Sequence, residues 1–489
     1  MQKKIKIALI SPPFLPNFCR SQRWPVVNRT LAMRYPDWLA YAGGVLEKEG
    51  FNVLLRDFIA ENLTIDDVAK WVKEFEFDLV VLDVTTPSIF NDIECAKRCK
   101  DAYSKTKVAF VGPHASVFPE ETIRDAKGAV DFIAIGEYDY TLRDLAYAME
   151  NISGFEKIPG LVWIDKNNTI IVNSPRPLIE NLDEIPFPLW HHLDVRRYRN
   201  NTYLYPFLDQ ISGRGCPQRC MFCQWPQVMH GRRYRYCSPE RVIAEMKYNF
   251  ERFKIREIFF EDDTLTTNKE RLKKICELLI AEKRKFVWSC NSRCDFLDFE
   301  LMKLMKEAGC RMLLIGPESG NQEILDNVHK GLKLEQVKEF VSMARRAGLK
   351  THACWVIGLP GETKETIEKT IKFAIELDTD TIQAASVMPL VGTELYQWAV
   401  EKGYLKASSW RDYVREGEQT AVMEYPHLKA TEMNAAVNRL LTSYYFRLSI
   451  ILRLLKQSIL QPSLFISYLR GLIYLLAYRI YRARRVEEE

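Results

Sequence analysis

Ser212-Gly213-Arg214-Gly215-Cys216-Pro217-Gln218-Arg219-Cys220-Met221-Phe222-Cys223 sets three cysteines behind a Gly-x-Gly turn, with three and then two residues between them and an aromatic before the last. Three soft thiolates on one short loop suit iron, and a compact loop lets them hold three corners of a cubic iron-sulfur cluster. The fourth iron is then left without a protein ligand. An open iron is a place where a small molecule binds and takes an electron, which points to chemistry rather than simple electron carriage. A zinc loop is the alternative reading. Zinc wants a fourth His or Cys nearby, and His230 and Cys237 do not make a familiar zinc spacing with this loop.

Around this loop lies a chain of 489 residues, too long for one core and suited to two or three domains. With 47% hydrophobic and 27% charged residues the composition is that of an ordinary globular protein, without low-complexity segments or internal repeats. Met1-Gln2-Lys3-Lys4 runs straight into a strand-like segment, which is not a secretory signal. Twelve scattered cysteines then imply a reducing, cytoplasmic compartment with free or metal-bound thiols. The net charge is +5, and nine basic residues against no acidic ones lie between Met433 and Val486. The basic excess therefore belongs to the tail, which argues against a general nucleic-acid surface.

Downstream of the cysteines the sequence repeats strand and helix. Helical segments at Pro239 to Phe253, Lys269 to Glu282, Phe299 to Ala308, Leu334 to Ala347 and Thr363 to Leu377 alternate with strands at Glu257 to Glu261, Phe286 to Cys290, Met312 to Ile315, Thr351 to Ile357 and Thr381 to Ser386. With the strand leading into Ser212 this makes six, a partial parallel (β/α)6 barrel whose carboxyl-end loops should carry the chemistry. Those loops are Glu261-Asp262-Asp263, Asn291-Ser292-Arg293, Gly316-Pro317-Glu318-Ser319-Gly320 and Gly358-Leu359-Pro360-Gly361-Glu362-Thr363.

Upstream, five apolar runs at Ile5 to Ile10, Asn52 to Leu55, Leu79 to Val84, Val108 to Gly112 and Phe132 to Gly136 are separated by amphipathic segments. That alternation describes an α/β doubly wound parallel sheet, whose ligand site lies beyond the carboxyl strand ends. No G-x-G-x-x-G follows the first strand, so a dinucleotide site is unsupported. The stretch Tyr35 to Gly44 reads equally as a helix packed on the sheet and as a ligand-facing loop with the long Trp24 to Met33 segment before it. A hairpin over Leu161 to Val172 and the Ile185-Pro186-Phe187-Pro188-Leu189-Trp190 breaker mark a connector, in which His191 and His192 read as ordinary linker histidines. The expected divisions are 1–150, a hairpin and linker over 151–205, a barrel over 206–403, and a helical region over 404–489. In the last, Tyr444 to Leu460 and Leu464 to Ile480 read as basic amphipathic helices lying on an anionic membrane surface. The longest charge-free run there, Gln457 to Leu469, is 13 residues, short of the roughly 20 needed to cross a bilayer. A helical cap packed on the barrel is the alternative.

The cysteine loop together with the four strand-end loops resembles the radical S-adenosylmethionine enzymes, over essentially residues 207 to 400. That resemblance implies a 4Fe-4S cluster on Cys216, Cys220 and Cys223 whose open iron chelates the amino and carboxylate groups of S-adenosylmethionine. It further implies Glu318 at the ribose hydroxyls, Arg293 at the carboxylate and Gly358 at the adenine through its backbone. Where the family commonly has Gly-Gly-Glu this chain has Glu261-Asp262-Asp263, from which Asp262 is the cofactor-facing candidate. The first domain resembles the cobalamin-binding domain that precedes the barrel in one branch of the family. Its strand-end residues Ser11, Pro12, Thr85, Thr86, Gly112, His114, Gly136 and Glu137 are the implied cobalamin contacts, without the D-x-H-x-x-G pattern that supplies a lower-ligand histidine elsewhere. The tail and the Gly-Arg-Gly-Cys-Pro and Trp-Pro surroundings of the loop are similar to branches acting on hopanoid or other isoprenoid lipids. The implied activity is radical functionalisation of an unactivated carbon, by C-methylation or ring closure, on a hydrophobic substrate. An external electron donor of the flavodoxin or ferredoxin type and a peripheral place on the inner face of a membrane go with it. A non-catalytic carrier of cluster, cobalamin or lipid is the alternative from another functional class.

Overall fold

Alternation of buried β-branched runs with amphipathic segments builds the first layer system. In the computed structural model, which describes residues 4–20, 26–27, 32–151, 153–415, 418–419 and 421–460 with 465, 469 and 473 as isolated positions, strands Lys6–Ser11 (β1), Asn52–Asp57 (β2), Leu79–Asp83 (β3), Lys107–Val111 (β4) and Phe132–Ala134 (β5) are parallel. All five residues of β3 are buried, as expected of a strand covered on both faces. Helices Asp37–Lys48 (α1), Ile65–Phe75 (α2), Ile89–Ala102 (α3), Pro113–Val117 (α4), Pro119–Asp125 (α5) and Asp139–Asn151 (α6) lie between and after the strands. The hairpin Leu161–Ile164 (β6) and Ile170–Val172 (β7) does not stand apart as a connector. It pairs antiparallel on β5 and completes a seven-stranded sheet of order β2-β1-β3-β4-β5-β6-β7. The order reverses between β1 and β3, so the switch point where such sheets bind ligands falls between Ser11-Pro12 and Thr85-Thr86.

The second sheet holds six parallel strands in chain order: Phe207–Gln210 (β8), Glu257–Phe260 (β9), Trp288–Ser292 (β10), Cys310–Glu318 (β11), Lys350–Ile357 (β12) and Thr381–Ser386 (β13). Helices Pro239–Phe253 (α7), Lys269–Ala281 (α8), Phe299–Glu307 (α9), Gln322–Asn327 (α10), Leu334–Arg346 (α11) and Lys364–Leu377 (α12) connect them. An open barrel has two edges, and unpaired edges must be covered. At β8 the cover is the first domain: the Tyr35 hydroxyl donates to the Phe207 carbonyl at 2.7 Å, and the Ile211 amide donates to the Tyr41 hydroxyl at 2.9 Å. The Tyr35 to Gly44 stretch is therefore a packed helix start, with Asp37 through Leu46 buried. At β13 the cover comes after Glu394–Glu401 (α13), from Ala430–Tyr445 (α14), where the Tyr445 hydroxyl accepts from the Ile382 amide at 2.9 Å and donates to its carbonyl at 2.6 Å.

The carboxyl-terminal region differs from expectation. Residues following Ser408 form a short helical turn at Trp410–Tyr413 and a two-stranded ribbon, Val414–Arg415 with Glu418–Gln419, before α14 begins. The helix expected over Tyr444 to Leu460 is split: α14 ends at Tyr445 and Leu448–Leu460 (α15) follows. Asp378 draws Arg447 and Arg453 to itself at 3.0 and 2.6 Å, which docks the junction against the barrel. The second expected helix, over 464–480, lies outside the described residues except at 465, 469 and 473. Among the described residues no helix is long and apolar enough to cross a membrane.

Candidate active site

The cysteine loop hangs at the carboxyl end of β8. Gly215 has φ +89°, and a Cβ there would collide with the Arg233 carbonyl, so glycine is needed to turn the chain into Cys216. The Trp225–Met229 segment that follows is a single π-helical turn, a form common at functional sites. It aims Gln227 back into the loop, where its amide donates to the carbonyl oxygens of Cys220, Met221 and Cys223 at 3.4, 3.2 and 2.8 Å. None of the three cysteines is in a disulfide. His230 and Cys237 have other partners: Asp263 at 3.3 Å, and the Leu182 carbonyl at 3.7 Å. Burial, reinforced by the charges of Asp263 and Cys220, pushes the Cys216 thiol up to about 11.

Of the three consecutive acids that follow β9, two hold this loop down. Glu261 is ion-paired with Arg34. Asp262 accepts the Ser212 amide at 2.6 Å, the Ser212 hydroxyl at 2.8 Å and the Tyr234 hydroxyl at 2.9 Å. Asp263 accepts the Gly215 amide at 2.7 Å. Each buried carboxylate has its own donors, which is why three in a row are tolerated. Asp262, 1% exposed, is thus a tether for the loop rather than a cofactor-facing group.

Opposite the loop, Glu318 ends β11 with a left-handed φ of +64° after a bulge in the β11–β12 register, a backbone strain typical of binding sites. Its carboxylate meets Lys330 Nζ at 2.7 Å. Burial opposes the Lys330 charge, but Glu318 and then Cys220 outweigh it, and its pKa rises. Lys330 also lies 5.8 Å over the Phe222 ring, between the Glu318 wall and the cysteines. Sequence reading missed it: nothing in His329-Lys330-Gly331 marks it. Arg293 is held by Asp295 at 2.9 and 2.8 Å and donates to the carbonyls of Lys330 and Gly331. Its fork braces the Lys330 turn. The Gly358 amide donates to Glu362 at 2.7 Å and its carbonyl accepts from Tyr425 at 2.9 Å. Burial outweighs those donors and raises Glu362 to about 7.

The first domain presents the other wall. Arg20, also missed, stitches the switch point by donating to the Pro12 carbonyl at 3.0 Å, the Asp83 carbonyl at 3.2 Å and Ser88 at 2.6 Å while pairing with Asp92. Ser11 is buried beside them, and Thr85 bonds Ser88 at 2.8 Å. Gly112, φ +107°, passes so close under β3 that a Cβ would lie 2.8 Å from Asp83 Oδ1. His114 shares a hydrogen bond with Thr86 at 3.2 Å, packs edge-on against Trp410, and is lowered to about 4 by burial, hence neutral. A Cβ on Gly136 would lie 3.8 and 3.9 Å from the carbonyls of Val228 and Met229, so this rim abuts the π turn behind the cysteines. Nearby, the Tyr138 hydroxyl and both Asp37 carboxylate oxygens are buried without hydrogen-bond partners. A ligand rich in amide groups, as a corrinoid is, matches that combination of donor and acceptors. Glu137 is otherwise engaged: it accepts from Arg214 at 2.9 Å, Arg235 at 2.9 Å and the Ile179 amide at 2.8 Å. Its role is to bridge the domains, which replaces the expected ligand contact.

Comparison with known proteins agrees with both walls. Residues 211–374 match the Radical SAM superfamily model and residues 25–146 the B12 binding domain model. The chain is 33% identical over 451 residues to an uncharacterized methyltransferase of Pyrococcus horikoshii, covering 92% of this chain and 95% of that one. It is 26% identical to the anaerobic magnesium-protoporphyrin IX monomethyl ester cyclase of Rubrivivax gelatinosus, covering 74% and 66%. Its fold is that of a radical S-adenosylmethionine methyltransferase from Kitasatospora setae solved with cobalamin and a [4Fe-4S] cluster, at TM-score 0.66 and 18% identity over 92% of this chain and 82% of that one.

Burial alone would raise Glu137, yet Arg214 and Arg235 hold it at about 2 against an ordinary 4.5. Its stabilisation is therefore complete above pH 4.5 and is lost as the pH falls toward 2. Urea unfolding across that range should show stability declining with acidification, with a shallower decline in Glu137→Gln; equal slopes would show that Glu137 does not carry this linkage.

Proposed function

This chain belongs to the cobalamin-dependent radical S-adenosylmethionine methyltransferase family, and on that premise we propose that it methylates an unactivated carbon of a hydrophobic substrate. The observation that carries the reading is the meeting of Gly136, on the rim of the first sheet, with the π turn behind the three cysteines. Bound there, a [4Fe-4S] cluster with S-adenosylmethionine supplies a 5′-deoxyadenosyl radical and cobalamin supplies a transferable methyl group. The chain's own residues do the rest. Cys216, Cys220 and Cys223 would hold the cluster through three of its irons, leaving one iron open to the amino acid end of S-adenosylmethionine. Glu318 accepts from the ribose hydroxyls, a carboxylate being able to take two donors at once. Lys330, braced by Arg293, sets positive charge beside the cysteines and suits the cofactor's carboxylate. The Gly358 turn, held by Glu362 and Tyr425, shapes the adenine end. Rim residues Ser11, Pro12, Thr85, Thr86, Gly112, His114 and Gly136 line the cobalamin side, where the buried strand ends exclude water. Electrons come from an external donor of the flavodoxin or ferredoxin type.

A second reading concerns the substrate's source. α15 exposes Leu448 (71%), Leu452 (57%), Leu455 (50%) and Ile459 (80%) on one side, and the sequence beyond it carries Arg470, Arg479, Arg482, Arg484 and Arg485 before three terminal glutamates. An apolar ladder beside positive charge suits the surface of an anionic bilayer, and with it an isoprenoid or other lipid substrate.

Anaerobic protein reduced with dithionite should cleave S-adenosylmethionine to 5′-deoxyadenosine, and should form S-adenosylhomocysteine only when cobalamin is supplied. Cys220→Ala should lose both products. Formation of neither by the cluster-loaded wild type contradicts the reading, and a substrate product lighter by two hydrogens rather than heavier by one methylene replaces methylation with ring closure. Separately, the wild type should sediment with phosphatidylglycerol vesicles and a Leu452→Glu/Leu455→Glu/Ile459→Glu variant should not; equal sedimentation removes the lipid reading.

A further inference from the structure

Arg214 stands two residues before the first cluster cysteine, yet its side chain points away from the loop and into the first domain. Its Nη1 lies 2.9 Å from Glu137 and 2.8 Å from Asp139, and its Nη2 lies 3.0 Å from the other Asp139 oxygen. Glu137 directly follows Gly136 beyond β5, and Asp139 opens the first turn of α6. Arg235 reaches the same Glu137 at 2.9 Å, so two guanidinium groups face two carboxylates in a charge-balanced cluster, all with side chains at most 5% exposed. The Arg214 guanidinium also lies 5.2 Å over the Trp38 ring. Trp38 packs on His230 at 4.1 Å, and His230 meets Asp263, the residue that receives the Gly215 amide. A continuous set of directional contacts therefore runs from the rim of the first sheet to the turn that delivers Cys216.

Burying four charges costs desolvation, and an apolar contact would join two domains at less cost. What a planar guanidinium forked between two carboxylates adds is direction: it fixes angle as well as distance. Resting on the function proposed above, we propose that Arg214 is a positioning residue that fixes the separation and orientation of the cluster loop relative to the cobalamin rim, with Glu137 and Asp139 as its anchor. Radical formation needs only the cluster side, whereas methyl transfer needs both walls in register.

The full chain loaded anaerobically with cluster and cobalamin provides the test, using wild type, Arg214→Lys, Arg214→Gln and Asp139→Asn. Iron, sulfide and cobalamin contents are measured first. Microwave power saturation of the cob(II)alamin electron paramagnetic resonance signal is then compared with the cluster oxidised and reduced. Expected are unchanged cofactor contents in the variants, a weakened effect of cluster reduction on cobalt relaxation, and a fall in the ratio of S-adenosylhomocysteine to 5′-deoxyadenosine of up to about a hundredfold, the scale of an ångström's misplacement. Arg214→Lys, which keeps the charge but loses the fork, should lie between wild type and Arg214→Gln. Variants with full cofactor content and wild-type relaxation and product ratio overturn the proposal. So does loss of a cofactor in every variant, which would make the bridge a support for folding rather than spacing. A wild type whose cobalt relaxation ignores cluster reduction removes the two-cofactor reading itself, which distinguishes that failure from failure of Arg214.

Discussion

A buried ion-pair cluster between Arg214, Arg235, Glu137 and Asp139 joins the two sheets of this protein. Each sheet has its own core and its own carboxyl-end rim, and the chemistry inferred for them requires the rims to face one another. Apolar packing is non-directional, but the hydrogen bonds of Tyr35 and Tyr41 and the ion pair of Arg34 with Glu261 also cross from the first domain to the barrel. The Arg214 and Arg235 ion pairs add a second set of directional contacts nearer the two rims. Their balance of two positive and two negative charges is what makes burial tolerable, because removing any one member leaves an uncompensated charge out of water.

Around that junction the site is built mostly from residues holding other residues. Asp262 and Asp263 hold the strand that enters the cysteine loop, Gln227 holds the loop's carbonyls, and Arg293 holds the Lys330 turn. Arg20 does the same across the switch point of the first sheet. A site meant to keep a reactive species from water and from unintended partners needs such bracing, since a small misplacement changes which atom is reached. Glu318 and Lys330 are a different case. They pair with each other at 2.7 Å, and both face the cysteine side, as groups shared between the fold and a ligand do.

Much of this was legible in the sequence, and the reason is local. The six barrel strands and the five parallel strands of the first sheet announce themselves as short apolar runs separated by amphipathic helices, and the strand ends are where ligands bind in both architectures. The cysteine loop is a contiguous motif. Residues misjudged or missed depend instead on partners distant in the chain. Glu137 reads as a rim residue until Arg214, 77 positions later, takes its carboxylate. Asp262 reads as a cofactor-facing strand-end acid until Ser212, 50 positions earlier, donates to it twice. Lys330 sits in a turn with no pattern of its own. The first tail helix reads as continuous from Tyr444 to Leu460, whereas the structure breaks it after Tyr445, beside the pairing of Arg447 with Asp378 from a distant part of the chain. The edge of β13 needed a cover that no strand pattern could reveal, and two adjacent tyrosines of α14 provide it.

The account stands on the claim that three cysteines leave one iron open to S-adenosylmethionine. Electron-nuclear double resonance on the reduced, cluster-loaded protein tests it most directly, using S-adenosylmethionine isotopically labelled at its amino nitrogen and, separately, at its carboxylate oxygens. The account predicts hyperfine coupling of both labels to the cluster spin. A cluster spectrum that neither label alters would contradict it.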